Sequence, residues 1–141
     1  MKTLTIESAE VGNEGERASL TLGPYNGDSF GAEVRRDRLR ARADIVSKIF
    51  RGHSSEGLVE FFEALAANWK GWTGKREWIS IERDLVLSAT GHAGRIGLEV
   101  QLNHGAPPYW ELRSTLGLEA DQLDGLAAEA REFEKSASRA S

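Results

Sequence analysis

The sequence predicts a single α+β domain: a large, mostly antiparallel sheet of about eight strands with two helices on one face. Three observations lead to this fold class. Eight segments alternate apolar and polar residues at period two, which is typical of strands with one buried face. Two other segments carry the helical period. Short turns rich in glycine and proline separate the strands, so sequence neighbours are expected to pair.

The predicted strands divide equally between the two halves of the chain. They are TLTIE, ASLTLG, SFGAEVRR and LRARADI, then REWISIE, LVLSA, RIGLEVQL and YWELRSTLGL. In REWISIE the alternation assigns Ile79 and Ile81 to the core and leaves Trp78 on the outer face. In the last strand it places Trp110 and Leu112 on the core face.

The two predicted helices each carry one apolar stripe. The first runs through SSEGLVEFFEALAANW, with Ser54 or Ser55 as N-cap, and its stripe ends at Trp69. The second runs through EADQLDGLAAEAREFEK, with acids early and basic residues late, as the helix dipole favours. Residues 136–141 are expected to form a frayed tail.

The pattern of four strands and a helix occurs twice within one domain, residues 1–141. The strand near Ser29 and the strand near Arg95 lie 66 residues apart, and so do Ser54 and Ala120. The repeat concerns pattern alone, because identity between the halves is negligible. It predicts halves of about 1–69 and 70–135, related by a pseudo-two-fold axis, unless the match is fortuitous.

Composition excludes several classes of function. The chain has a net charge of −4, no cysteine and no apolar run of the ~20 residues that a membrane helix needs. We therefore expect a cytoplasmic protein without membrane association, disulfides or thiolate metal sites. His53, His92 and His104 do not cluster, so no metal is expected. No nucleophile elbow or phosphate-binding loop is present, so no cofactor is expected and an enzyme is unsupported.

The stretch WKGWTGKREW, residues 69–78, admits two interpretations. In the first, Trp69 closes the helix stripe, Gly71 and Gly74 shape the connection, and Trp72 and Trp78 pack locally. In the second, Trp72, Arg76 and Trp78 form an aromatic and cationic patch for a partner, since Trp and Arg dominate interface hot spots. Between the tryptophans, Trp72 is expected to pack locally and Trp78 to contact the partner.

These residues also carry a resemblance. The run Trp69-x-Gly71-Trp72-x-Gly74-x-Arg76-x-Trp78, followed by DLVLSATGHAGRIGLEVQL and a closing helix, resembles an actinobacterial domain-of-unknown-function family. The similarity covers roughly residues 54 to 135. It implies a small bacterial protein and carries over no catalytic residue.

A second candidate surface is the arginine run RRDRLRAR. On a strand, Arg38, Arg40 and Arg42 point to one face at intervals of about 6.6–7 Å, close to the phosphate spacing of a nucleic-acid strand. The alternative is a solvated face whose arginines pair with Glu33, Asp37 and Asp44. Because the whole chain is acidic, no specific nucleic acid is expected.

The combined prediction is a non-catalytic protein-interaction or accessory module, including a toxin-neutralising one. It would act through the outer sheet face or the Trp72 loop, on a protein partner or a second copy. A small-molecule or enzymatic domain with a pocket between sheet and helices is the alternative. The third candidate is single-stranded nucleic-acid binding, with Trp78 stacking on bases.

Overall fold

The first half of the chain forms a four-stranded antiparallel sheet in which sequence neighbours pair. The computed structural model describes residues 3–11, 17–25, 29–46, 57–68, 75–80, 82–92, 95–104 and 107–140. The strands, in their spatial order, are β1 (Leu4–Val11), β2 (Arg17–Tyr25), β3 (Ser29–Arg36) and β4 (Leu39–Val46). A two-residue turn joins β3 to β4, and Asp37 adopts a left-handed φ of 54° within it.

The second half repeats this arrangement after the first helix. Helix α1 (Leu58–Asn68) leads to the second antiparallel sheet, and helix α2 (Ala120–Ala140) follows that sheet. The strands of the second sheet, again in sequential order, are β5 (Lys75–Ile79), β6 (Leu85–His92), β7 (Arg95–His104) and β8 (Trp110–Glu119). The predicted α+β class, the antiparallel pairing and the element order are therefore confirmed within the described residues.

The two helices pack on each other and on strands of both sheets. α2 contacts β1, β2 and β8, and α1 contacts β5. Their predicted stripes are buried, with Phe61 and Phe62 of α1 and Phe133 of α2 among the largest enclosed side chains. Trp69, Ser54 and Ser55 lie outside the described residues. α2 is helical as far as Ala140, so it includes residues 136–140, which the sequence analysis assigned to a frayed tail.

The strands form two packed sheets rather than the predicted single sheet of about eight. β1 and β8 are the neighbouring edges of the two sheets. On its other side, β1 shifts its register against β2 between Glu7 and Val11. The buried Ser8 side chain bridges the two sheets: its Oγ accepts a hydrogen bond from the Gly117 amide at 3.0 Å. Arg36 adds a second link, donating to the Thr115 carbonyl oxygen at 2.9 Å.

The orientation of β5 is opposite to the prediction. Trp78 is 1% exposed and is the largest fully buried side chain among the described residues, whereas Ile79 is only half-buried. Trp78 lies opposite the buried Leu87 of β6, so its side of β5 faces the core. Burying an indole removes more apolar surface from water than burying an isoleucine, and this outweighs the isoleucine alternation. Ile81 lies outside the described residues.

Ser80 lies on the inner face with Trp78, and its buried hydroxyl group has hydrogen-bond partners there. Its Oγ donates to the Asp84 carboxylate at 2.5 Å and accepts from the Leu85 amide at 3.0 Å. The turn from β5 to β6 is thereby closed around a buried hydroxyl. Apolar spacing alone could not reveal this, because a serine with two internal partners is as well placed inside as an isoleucine.

Candidate partner-binding groove

The arginines of the run RRDRLRAR that were predicted to share one face are divided between a turn and a strand. Arg38 lies in the β3–β4 turn, whereas Arg40 and Arg42 lie on β4 and are exposed. Glu33 of β3 binds two guanidinium groups, with Nε of Arg40 at 3.2 Å and Nε of Arg35 at 3.3 Å. Pairing with acids, the alternative recognised from the sequence, therefore holds for Arg40.

Arg42 lies across β3 at a glycine. A Cβ built on Gly31 would stand 2.7 Å from Arg42 Nη2, so the guanidinium occupies the space that any larger residue would need. Gly31 therefore allows Arg42 to lie flat against the sheet. This contact places the Arg42 guanidinium over β3.

The predicted aromatic and cationic patch is not assembled as expected. Trp78 is buried, and Arg76 lies on the same inner side of β5, where its Nε is enclosed without a hydrogen-bond partner among the described residues. Arg40 and Arg42 belong to the other sheet. Trp72 lies outside the described residues. The prediction that Trp78 is exposed for a partner is wrong, because its ring is part of the core.

A groove opens instead where β4 approaches the end of the β7–β8 hairpin. This rim groove has a volume of about 460 Å³, and its lining residues are Arg42, Ala43, Asp44, Asp84, Asn103, His104 and Trp110. It combines an arginine, two carboxylates, an amide and two aromatic rings. Such a mixture of apolar surface with a few polar groups is typical of binding sites.

The floor of the rim groove is held by backbone hydrogen bonds. The Asn103 amide donates to the Asp84 carbonyl oxygen at 2.9 Å, and Asn103 Nδ2 donates to the Arg83 carbonyl oxygen at 2.8 Å. Arg83 has a φ of 61°, a left-handed conformation that reverses the chain between β5 and β6. These contacts fix Asp84 and Asn103 before any partner arrives.

One wall of the rim groove is aromatic and exposed. Trp110 is 37% exposed and Tyr109 is 73% exposed; with Leu39 they are the exposed large hydrophobic residues of the described chain. The His104 ring stacks on Trp110, with centroids 5.8 Å apart and planes 8° apart. His104 Nδ1 lies 3.2 Å from the Pro108 carbonyl oxygen, which can only accept, so Nδ1 carries the proton.

This wall is not predicted from the sequence, because the alternation along the last strand places Trp110 in the core. Trp110 lies on the side of β8 that the alternation predicts, but it pairs with His104 at the end of the β7–β8 ladder, beyond the buried Leu102. β8 extends past the core at this end, so a side chain on its inner face meets solvent there. The sequence HGAPPYW, with two prolines before two aromatic residues in a hairpin loop, is the signal that could have indicated an exposed aromatic tip.

Two other grooves in the described structure contain no aromatic residue. One lies between β1 and α2, and the other lies between the helices beside the ion pair of Arg131 with Glu63. Within the described ranges, no group of three or more His, Asp or Glu side chains could hold a metal ion. No helix in that part of the chain is long and apolar enough to cross a membrane.

The fold and the groove define an α+β protein of two packed four-stranded sheets with a preformed surface cleft. The chain belongs to a family of unknown function, DUF6228, whose family model matches residues 16–137. Membership in a family of unknown function, expected from the resemblance, is thereby confirmed. Comparison with curated proteins and with solved structures gives no match.

Proposed function

We propose that this protein is a non-catalytic interaction module that holds a protein partner in the rim groove. The observation that supports this is the exposure of Trp110, at 37%, in the groove that Arg42 also lines, with Tyr109, which is 73% exposed, next to it in the chain. Tyrosine, tryptophan and arginine are the residue types that contribute most to binding at interfaces. An accessory role in the cytoplasm, such as neutralising a toxin, would use this surface.

The aromatic wall suits binding because it is ordered in advance. Stacking on His104 restricts the Trp110 ring, and His104 is itself tied to Pro108. A side chain that is already ordered loses less conformational entropy when a partner binds. Asp44 and Asp84 give the groove negative charge beside Arg42, so a partner must match both signs.

Nucleic acid remains the weaker proposal. The chain carries a net charge of −4, which repels polyanions at long range.

Selection from a displayed library of short random peptides tests the proposal. Selected peptides are titrated against the parent and against the double variant Tyr109→Ser with Trp110→Ser. The control is Glu111→Ser with Arg113→Ser, which alters two exposed residues of the same strand. We expect at least about tenfold weaker binding for the aromatic variant and under about twofold change for the control.

Nuclear magnetic resonance mapping locates the bound peptide independently of the variants. The resonances of the Trp110 indole N–H and of the Asn103 backbone amide should change chemical shift when the peptide is added. Equal affinity of the two double variants, or shifts confined to another surface, would contradict the rim groove as the binding site. Sedimentation of the pure protein, in the same buffer, tells self-association from binding to a different chain.

A further inference from the structure

Among the described residues, β4 is an edge strand. It is eight residues long and pairs with β3 on one side, and no described strand pairs with its other side. Edge strands offer unpaired amide and carbonyl groups to another chain. The edge strand β5 of the other sheet has only five residues. β4 is therefore the longer template for an added strand.

The hairpin register indicates which amides face the open edge. Arg36 and Leu39 flank a two-residue turn, which makes them a mutually hydrogen-bonded pair. Hydrogen-bonded and non-hydrogen-bonded pairs alternate along an antiparallel ladder. Arg40, Arg42 and Asp44 therefore belong to non-hydrogen-bonded pairs with β3. Their amide and carbonyl groups point away from β3, toward the open edge.

The charges around this edge favour an acidic partner. Residues 33–42 contain five arginines against Glu33 and Asp37, in a chain whose net charge is −4. Arg40 and Arg42 are exposed on the outer side of β4. Two copies of β4 paired about Arg40 would oppose arginine to arginine, which is destabilising, whereas pairing about Ala43 would set Arg42 against Asp44. A segment with acidic side chains can match Arg40 and Arg42 together, and sedimentation distinguishes it from a second copy.

The open edge is continuous with the rim groove, because Arg42, Ala43 and Asp44 line that groove. On its inner side β4 presents Leu39, which is 50% exposed, and the half-buried Ala41 and Ala43. An added strand would thus meet small apolar side chains on one face and arginines on the other. It would then continue toward Trp110.

We infer that the partner binds as an extended segment, acidic where it adds a strand beside Arg40 and Arg42 at the free edge of β4, that continues into the rim groove. This rests on the proposed function and specifies the chemistry of the partner. Main-chain hydrogen bonds would supply affinity, and the arginines would select acidic side chains at alternate positions.

The experiment separates backbone pairing from charge attraction at one residue. Arg40→Pro removes an amide that faces the open edge, and Arg40→Gln removes the same charge while keeping that amide. Peptides selected on the parent are titrated against both variants. We expect acidic peptides, and binding at least about tenfold weaker for Arg40→Pro than for Arg40→Gln. Ala41→Pro removes an amide directed at β3 and should lower the melting temperature, which checks the alternation.

A probe on the peptide side keeps the test valid if Arg40→Pro fails to fold. Each selected peptide is synthesised in two N-methylated versions. One phase carries the N-methyl groups at its odd-numbered residues, and the other phase carries them at its even-numbered residues. Strand addition requires that one phase abolish binding to the parent while the other leaves it intact, since only alternate amides face β4.

Equal binding by the proline and glutamine variants, or by the two methylated phases, would overturn strand addition. Loss of binding on Tyr109→Ser with Trp110→Ser would in that case leave the rim groove proposal standing. A selection that yields no acidic peptide also overturns the inference. Self-association of Arg40→Gln with unchanged peptide binding would show that the arginines only guard the edge.

Discussion

Trp78 and Ser8 are single residues whose side chains hold the core and the junction between the sheets. Trp78 is enclosed at 1% exposure against Leu87. Ser8, at 3% exposure, accepts hydrogen bonds from the amides of Gly117 and Glu10, at 3.0 and 3.2 Å. Neither is available to a partner, so changes at both should act on stability.

Trp78→Ala should lower the free energy of unfolding by roughly 3–5 kcal/mol, as large truncations in cores do. Trp110→Ala is the matched control, because Trp110 is partly exposed and its loss should cost about 1 kcal/mol or less. Urea denaturation of both variants measures the difference. An unchanged midpoint for Trp78→Ala would refute the observed orientation of β5.

Ser8→Ala should cost about 1–3 kcal/mol, because two buried or half-buried amides lose their acceptor. Thr5→Ala serves as control: it lies on the same strand, and its hydroxyl contact with Thr21 is exposed to water. Thermal melting at matched conditions compares the two. Equal melting temperatures would show that water replaces the Ser8 bridge without loss.

Strands β3 and β4 together position the arginine of the rim groove. The Arg42 side chain reaches diagonally across this pair to Gly31, and the guanidinium fills the site of a missing Cβ. Changing either residue moves the same charge, so their effects on binding are expected to be coupled.

Gly31→Ala should displace Arg42 while changing stability by about 1 kcal/mol, since the two nearest atoms end a flexible side chain and the Gly23 carbonyl oxygen, at 3.3 Å, has to yield only slightly. Peptide binding to the rim groove should weaken as it does for Arg42→Ala. The double variant should bind no worse than either single one, a non-additivity that calorimetric titration detects. Additive losses would mean that Gly31 affects binding by another route.

At the scale of the whole molecule, the two halves share one core. Buried residues from both sheets and both helices form a single cluster. The Ser8 and Arg36 hydrogen bonds cross between the halves, and so does the ion pair of Arg131 with Glu63 at 2.9 Å. The repeated element order therefore does not imply two independent folding units.

The chain should unfold in one cooperative transition, with far- and near-ultraviolet circular dichroism changing together. Fragments 1–69 and 70–141 should each lack a transition, because a half of this size buries too little apolar surface without its counterpart. As a control, the two purified fragments are mixed, which tests whether the contacts between the halves restore the transition. A cooperative melt of either fragment alone would establish autonomous halves.

Period and turn chemistry, readable in the sequence, determined the class of this protein: eight antiparallel strands, two helices and their order. These follow from local rules, since alternation buries one strand face and short turns pair neighbours. The tertiary structure alone decided where the sheet divides, which face of β5 is inside and where the core ends along β8. Each depends on what lies opposite: Gly117 beside Ser8, Leu87 beside Trp78, and open water beside Trp110. Burial depends on such surroundings, which the local period of a strand does not specify.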